Sequence, residues 1–262
     1  MDINLTGKNA LVCGSTQGIG KAIAISLASL GANVTLMARN EGTLKEILNE
    51  LDKSKNQKHG FLVADFFNAD KVKEVIQNFS QSQQEFHILI NNTGGPAPGN
   101  TFDAKTEDFL KAISAHLVCN QHLVQALVPI MKKSKYGRII NIISTSVKVP
   151  IVGLGVSNTT RGAVASWAKT LATELGQFGI TVNNVLPGLT KTGRLDNLIK
   201  NRAEKAGKPV AEYEVFMQES LPAKRFGKPE EVADAVAFLA SPAAAYINGI
   251  NLPVDGGSTP CL

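Results

Sequence analysis

The sequence predicts an α/β protein: a doubly wound parallel sheet of about seven strands with helices on both faces. Three observations carry that expectation. Short apolar runs rich in Val, Ile and Leu recur along the chain, as strands buried on both faces require. Longer segments with apolar residues at three- and four-residue intervals separate them. A glycine-rich turn follows the first run directly.

The expected strands are, in order, Ala10 to Cys13, Val34 to Met37, Phe61 to Val63, Ile88 to Ile90, Ile139 to Ile143, Thr181 to Leu186 and Ile250 to Val254. The expected crossover helices are Ile19 to Leu30, Thr43 to Asp52, Asp70 to Phe79, Asp108 to Met131, Val156 to Phe178 and Glu230 to Ala240. Gly31, Gly179 and Gly207 fall where helices should stop, because glycine enters the left-handed cap conformation cheaply. No repeat or interdomain linker interrupts the pattern, and 262 residues suit one core, so the chain reads as a single domain over 1–262. The stretch from Thr190 to Ser220, polar and broken by Gly193, Gly207 and Pro209, reads as a mobile excursion on the substrate side. Its apolar residues Leu195, Leu198, Ile199, Tyr213, Val215, Phe216 and Met217 fit either an amphipathic lid or an ordinary helical core face.

Formal charge is +5, yet Lys and Arg are scattered among acidic residues, and the densest run is Lys132-Lys133-Ser134-Lys135. A nucleic-acid partner, which needs a clustered basic face, is therefore not expected. A mild preference for anionic ligands is. Cys13, Cys119 and Cys261 are odd in number and far apart, which excludes a disulfide framework and a Cys-x-x-Cys metal or redox site. A reducing cytoplasm fits that usage, and no metal is expected. The first residues lack a basic segment leading into an apolar core, and no run of about 18 apolar residues occurs, so neither an export signal nor a membrane span is expected.

The glycine turn is Gly14-Ser15-Thr16-Gln17-Gly18-Ile19-Gly20. Glycines there let the backbone turn tightly and approach a pyrophosphate, while the helix that opens offers free N–H groups and a positive dipole end. At this point the chain resembles the short-chain dehydrogenases/reductases, with their Gly-x-x-x-Gly-x-Gly turn. Further segments match in order: Asn91-Asn92-Thr93-Gly94, Gly137 to Ser144, Gly179 to Asn183, Leu186-Pro187-Gly188 with Thr192, Pro229 to Ala233, and Val254-Asp255-Gly256-Gly257. The resemblance covers essentially the whole chain. It implies a Rossmann-type dinucleotide-binding domain whose cofactor contacts come from the glycine turn, Asn91, Thr93, Gly94, Pro187, Gly188 and Thr192. It also implies a homo-oligomer, tetramer or dimer, and as its nearest functional name a 3-oxoacyl-carrier-protein reductase-like enzyme.

An acidic residue at the end of the second strand would serve the ribose of NAD, whereas arginine suits the extra phosphate of NADP. Arg39 stands there, so NADP(H) is preferred over NAD(H). Asp65, after the third strand, resembles the family's adenine-flanking aspartate, or else caps the next helix.

In the resembled family, Asn, Ser, Tyr and Lys form the working tetrad, with Tyr and Lys four residues apart on one helix face. Counting from Ser144, those two slots fall on Ser157 and Arg161, and the asparagine slot on His116. Serine is a far weaker acid than a phenol of pKa about 10, and arginine, protonated above about 12, does not relay protons. Arg161 is left to hold a cofactor ribose, or to pair with a carboxylate or phosphate of the ligand. Three readings follow. The protein is an oxidoreductase on a carbonyl or alcohol substrate with another donor, His116 first because imidazole titrates near neutrality, Lys148 and Tyr213 behind it. Or it is a silent NADP(H)-binding sensor or partner subunit. Or it runs altered chemistry, a double-bond reduction or a lyase step.

Overall fold

Strand β1 (Asn9–Cys13) buries all but its first residue and pairs in parallel with β2 (Asn33–Ala38) and β4 (Ile88–Asn91). Around it the computed structural model, which describes residues 1–82 and 85–261, places β3 (Gly60–Val63), β5 (Gly137–Ile142), β6 (Ile180–Pro187) and β7 (Asn251–Val254). The seven strands run parallel in the order β3-β2-β1-β4-β5-β6-β7. Each expected strand is present with ends shifted by a residue or two, because apolar runs of this length have no way to be buried except edge to edge in a covered sheet.

Alternation along the strands divides the core. Val12, Leu36, Ile90 and Ile140 face α1 (Gly18–Ser29), α2 (Glu41–Glu50) and α9 (Pro229–Ala240). Leu11, Leu89, Ile139 and Val182 face α3 (Ala69–Gln81), α5 (Cys119–Ser134) and α6 (Gly155–Leu175). The strand order reverses between β1 and β4, and the crevice at the carboxyl ends of those strands is where ligands bind in open sheets of this kind.

Two segments differ from the sequence reading. The helix expected from Asp108 to Met131 is α4 (Thr106–Ile113), a π-helical turn over Ser114–Val118, and α5. Apolar spacing does not separate a wide turn from an ordinary one, and such turns recur at functional sites. The stretch 190–220 forms α7 (Gly193–Ala206), closed by Gly207 at φ +63, and α8 (Val210–Glu219). Leu195, Ile199 and Met217 meet Leu221 and Phe226 in a small core of their own, whereas Val215 and Phe216 are exposed. Most of the apolar pattern there is thus a helical core face.

Two loops at the sheet's carboxyl edge are joined. Gly99 N–H donates to Gly153 O at 2.7 Å, Gly155 N–H donates to Gly99 O at 3.0 Å, and Thr101 packs against Gly155. Among the described residues no helix is long and apolar enough to cross a membrane.

Candidate active site

The turn between β1 and α1 is shaped by contacts only glycine permits. A Cβ on Gly20 would lie 2.1 Å from Gly14 O, and one on Gly14 would lie 2.7 Å from Asn92 O. Asn92 donates its side-chain amide to Cys13 O and Gly14 O, both at 3.2 Å, and so clamps the turn from β4. Ser15 is fully buried and accepts from Met37 N–H at 3.1 Å, a tie to β2. Gln17 gives α1 no side-chain cap, and its first turn holds no acidic residue. The first N–H groups therefore remain available to an anion. Thr192 packs over Gly18, bringing the loop after Pro187 and Gly188 against this cradle. Thr16 and Ile19 complete it in sequence. A pyrophosphate fits where side chains are excluded by contact.

Arg39 follows β2, exposed, and no carboxylate pairs with it among the described residues. Asn40 caps α2 by accepting from Thr43 N–H. Asp65 does not cap α3, a task that Asn68 performs by accepting from Lys71 N–H. Its carboxylate instead accepts from Phe67 N–H at 3.0 Å in a local turn.

Four asparagines cross the sheet beside the cradle. Asn91 donates to Asn141, Asn141 to Asn184, and Asn184 to Asn251, each at 2.8 Å, following the register of β4, β5, β6 and β7. All three donors point the same way. The acceptor end of the ladder, Asn91 Oδ1, is buried without a hydrogen-bond partner. Asn91 lines a closed pocket with Asn92, Thr93, His116, Asn120 and Arg161.

His116 sits in the π-helical turn, 3% exposed. Burial first, then the charge of Arg161, pushes its pKa down to about 2, opposed by donation of a ring N–H to the Gly94 carbonyl; Arg194 adds to the depression. The expectation that this imidazole titrates near neutral pH is therefore corrected: it is neutral, because two guanidiniums and a dry surrounding disfavour a third cation. Arg161 is buried on α6 and donates through Nη1 to Ile142 O at 2.9 Å. Burial, then Arg194, lowers it to about 10, which still leaves it charged at neutral pH. Ser157 lies one helical turn before it, also buried. Ser144 ends the β5 run and accepts from Ser146 N–H at 3.1 Å.

The three tyrosines are engaged elsewhere or exposed. Tyr136 donates to Ala240 O, Tyr213 packs against Phe216 beside the α7–α8 core, and Tyr246 is fully exposed. Lys148, just beyond Ser144, is exposed. Three contributors escaped the sequence reading: the clamp by Asn92, the ladder and Arg194. The first stood inside a quoted motif, the second was readable only as asparagines recurring at the ends of apolar runs, and the third carried no signal.

A family profile described as enoyl-(acyl carrier protein) reductase matches residues 14–259. A tropinone reductase homolog of Arabidopsis thaliana is 35% identical over 257 residues, spanning 98% of this chain and 94% of the relative. The 3-oxoacyl-[acyl-carrier-protein] reductase of Buchnera aphidicola is 35% identical over 255 residues, spanning 97% and 98%. L-Sorbose reductase from Gluconobacter frateurii, solved with NADPH and L-sorbose, superposes with a TM-score of 0.93 at 31% identity over the whole of both chains.

Proposed function

The chain belongs to the short-chain dehydrogenase/reductase family, and from that premise we propose that it is an NADP(H)-dependent oxidoreductase acting on a carbonyl or alcohol group with a non-standard proton donor. The observation that carries the reading is the double duty of Asn92, whose amide clamps the glycine turn while the same residue lines the pocket of His116 and Arg161. A cofactor cradle and a charged reaction pocket share one wall.

When bound, the dinucleotide supplies or accepts the hydride. Gly14, Gly18 and Gly20, with the open N-terminus of α1, would hold its phosphates, and Arg39 the additional phosphate that favours NADP(H). Gly94, Thr93, Pro187, Gly188 and Thr192 frame the nicotinamide end. Arg161 stabilises negative charge on the reacting oxygen, as preorganised donors in a dry site do. The proton that this oxygen gains comes from solvent water, which the Ser144 and Ser157 hydroxyls orient by hydrogen bonds. His116 acts as a neutral positioning group, its N–H committed to Gly94. The absence of a phenol near Ser144 among the described residues favours one second reading, reduction of a double bond conjugated to a carbonyl. There Arg161 stabilises an enolate and no phenol is needed.

The test is NADPH consumption at 340 nm with saturated ketones and matched enones. Turnover of ketones that falls at least 100-fold in Ser144→Ala supports the first reading. Turnover of enones alone supports the second. Tight NADPH binding by calorimetry with no turnover of either overturns both and leaves a silent binding protein. Homo-oligomerisation and a cytoplasmic location complete the proposal; a monomer by light scattering would refute the former.

A further inference from the structure

Arg161, buried on α6, and Arg194, exposed at the start of α7, both lack a counterion, and Arg194 sits beside the chain segment that runs on from Thr93 in the Arg161 pocket. Arg194, in the first turn of α7, lies against Gly95, where a Cβ would meet Nη1 at 2.6 Å, and reaches Pro96 O at 3.4 Å. Its charge acts on both Arg161 and His116. Among the described residues neither guanidinium pairs with a carboxylate. Two other arginines, Arg225 and Arg138, are provided for. Arg225 holds Glu231 with both Nη atoms, at 2.7 and 2.6 Å. Arg138, as deeply buried as Arg161, donates to the carbonyls of Gly137, Gly179 and Ser241 and stacks 4.0 Å from the Tyr136 ring. Arg161 has a single carbonyl, Ile142 O.

A buried cation with most of its donors unspent is costly unless an anion joins it. On the proposed reading the cofactor's phosphates go to the α1 N-terminus and Arg39. The anion must come with the substrate. We propose that Arg161 and Arg194 together bind a carboxylate carried by the substrate within a few bonds of its carbonyl, so that the substrates are oxo acids and their hydroxy acid products. The inference rests on the oxidoreductase reading and names its substrate class. Arg161 then serves both the reacting oxygen and the near carboxylate oxygen as a planar fork, while Arg194 takes the outer one. A phosphate ester offers the same oxyanion chemistry, and the planar guanidinium fork of Arg161 matches a planar carboxylate edge to edge.

The experiment uses the full chain with NADPH and the 2-, 4- and 5-oxohexanoates, each beside its methyl ester, with dihydroxyacetone phosphate beside dihydroxyacetone. At least one acid is expected to exceed its ester in kcat/KM by tenfold or more. Arg194→Gln is expected to reduce that ratio at least tenfold while the NADPH Kd changes less than threefold. Esters matching their acids throughout, a ratio untouched by R194Q, or R194Q weakening NADPH binding tenfold would each overturn the proposal. So would a larger preference for dihydroxyacetone phosphate over its alcohol than for any acid over its ester. If no compound, neutral or charged, is reduced, the oxidoreductase reading fails separately. Calorimetry of the same pairs on NADP-loaded protein then decides: acids binding tenfold tighter than esters, and losing that margin in R194Q, sustain the anion site, and equal binding removes it.

Discussion

The Arg161 guanidinium reaches from the second turn of α6 to the carbonyl oxygen of Ile142, 2.9 Å away, tying a buried cation to the end of β5. On the proposed reading that cation is held for chemistry at a cost in stability. Arg161→Met keeps most of the volume and removes the charge, so the variant is expected to be as stable as the parent or more so, by about 1–3 kcal/mol, while turnover falls at least 100-fold. At about 2–4 °C per kcal/mol for a chain of this size, thermal unfolding reads the gain. A Tm lowered by 5 °C or more would show that Arg161 is structural.

Gly20→Ala places a methyl 2.1 Å from Gly14 O and 2.6 Å from the Asn92 amide. Backbone has to move to admit it, at about 1–3 kcal/mol. NADPH affinity is expected to drop at least 30-fold by calorimetry, whereas Gly60→Ala, with nothing within 4 Å, leaves it unchanged. Equal affinities in the two variants would detach the cradle from cofactor binding.

Arg39 is exposed with no carboxylate partner, free for an anion. Charge-assisted hydrogen bonds contribute about 1.5–3 kcal/mol, so Arg39→Asp should weaken NADPH about 10- to 100-fold and leave NADH within about threefold. Parallel losses for both dinucleotides would contradict a phosphate contact.

His87 and His116 make stability depend on pH in one direction. Burial, and for His87 the charge of Lys8, lowers His87 to about 4, and His116 stands at about 2. His87 Nδ1 must stay unprotonated to accept from Asn9 N–H. The unfolded chain binds protons at an ordinary histidine pKa near 6.5, so it holds more protons than the folded one below that pH. Stability is therefore complete above about 6.5 and falls as pH drops from there toward 4, by up to about 1.4 kcal/mol per pH unit for each histidine. Urea midpoints between pH 7.5 and 4.5 test the slope, and His87→Asn should flatten it. A midpoint constant over that range would refute both shifts.

Asn141→Ala removes the middle of the asparagine ladder, stranding Asn91 Nδ2 and Asn184 Oδ1 in a dry sheet. Each unmet group costs about 1–3 kcal/mol, so a loss of at least 2 kcal/mol is expected from urea unfolding. A smaller loss would mean that water enters between β4 and β6.

The strands were legible because a run such as Ile88 to Ile90 has only one environment that suits it, and the glycine turn because its spacing answers a steric demand. Ser157 and Arg161 were reached by counting on from Ser144, and the structure buries both one turn apart on α6. The structure puts His116 in one pocket with Arg161, but its charge state was not legible, since protonation depends on neighbours brought in from α6 and α7. Arg194 was invisible for the same reason: its meaning lies in proximity to Gly95 and Arg161, which are nearly a hundred and over thirty positions away. The ladder needed the sheet register, and Asn184 and Asn183 are indistinguishable until β6 has a face.

The hydrogen bonds that join Gly99 to Gly153 and Gly155 weld the exit of β4 to the entrance of α6 into one short ribbon. The two loops are consequently coupled, and a shift in one is passed to the other. An insertion on either side would displace both, and with them the approach to Ser157. Broadening what this protein admits would accordingly require paired changes across that seam.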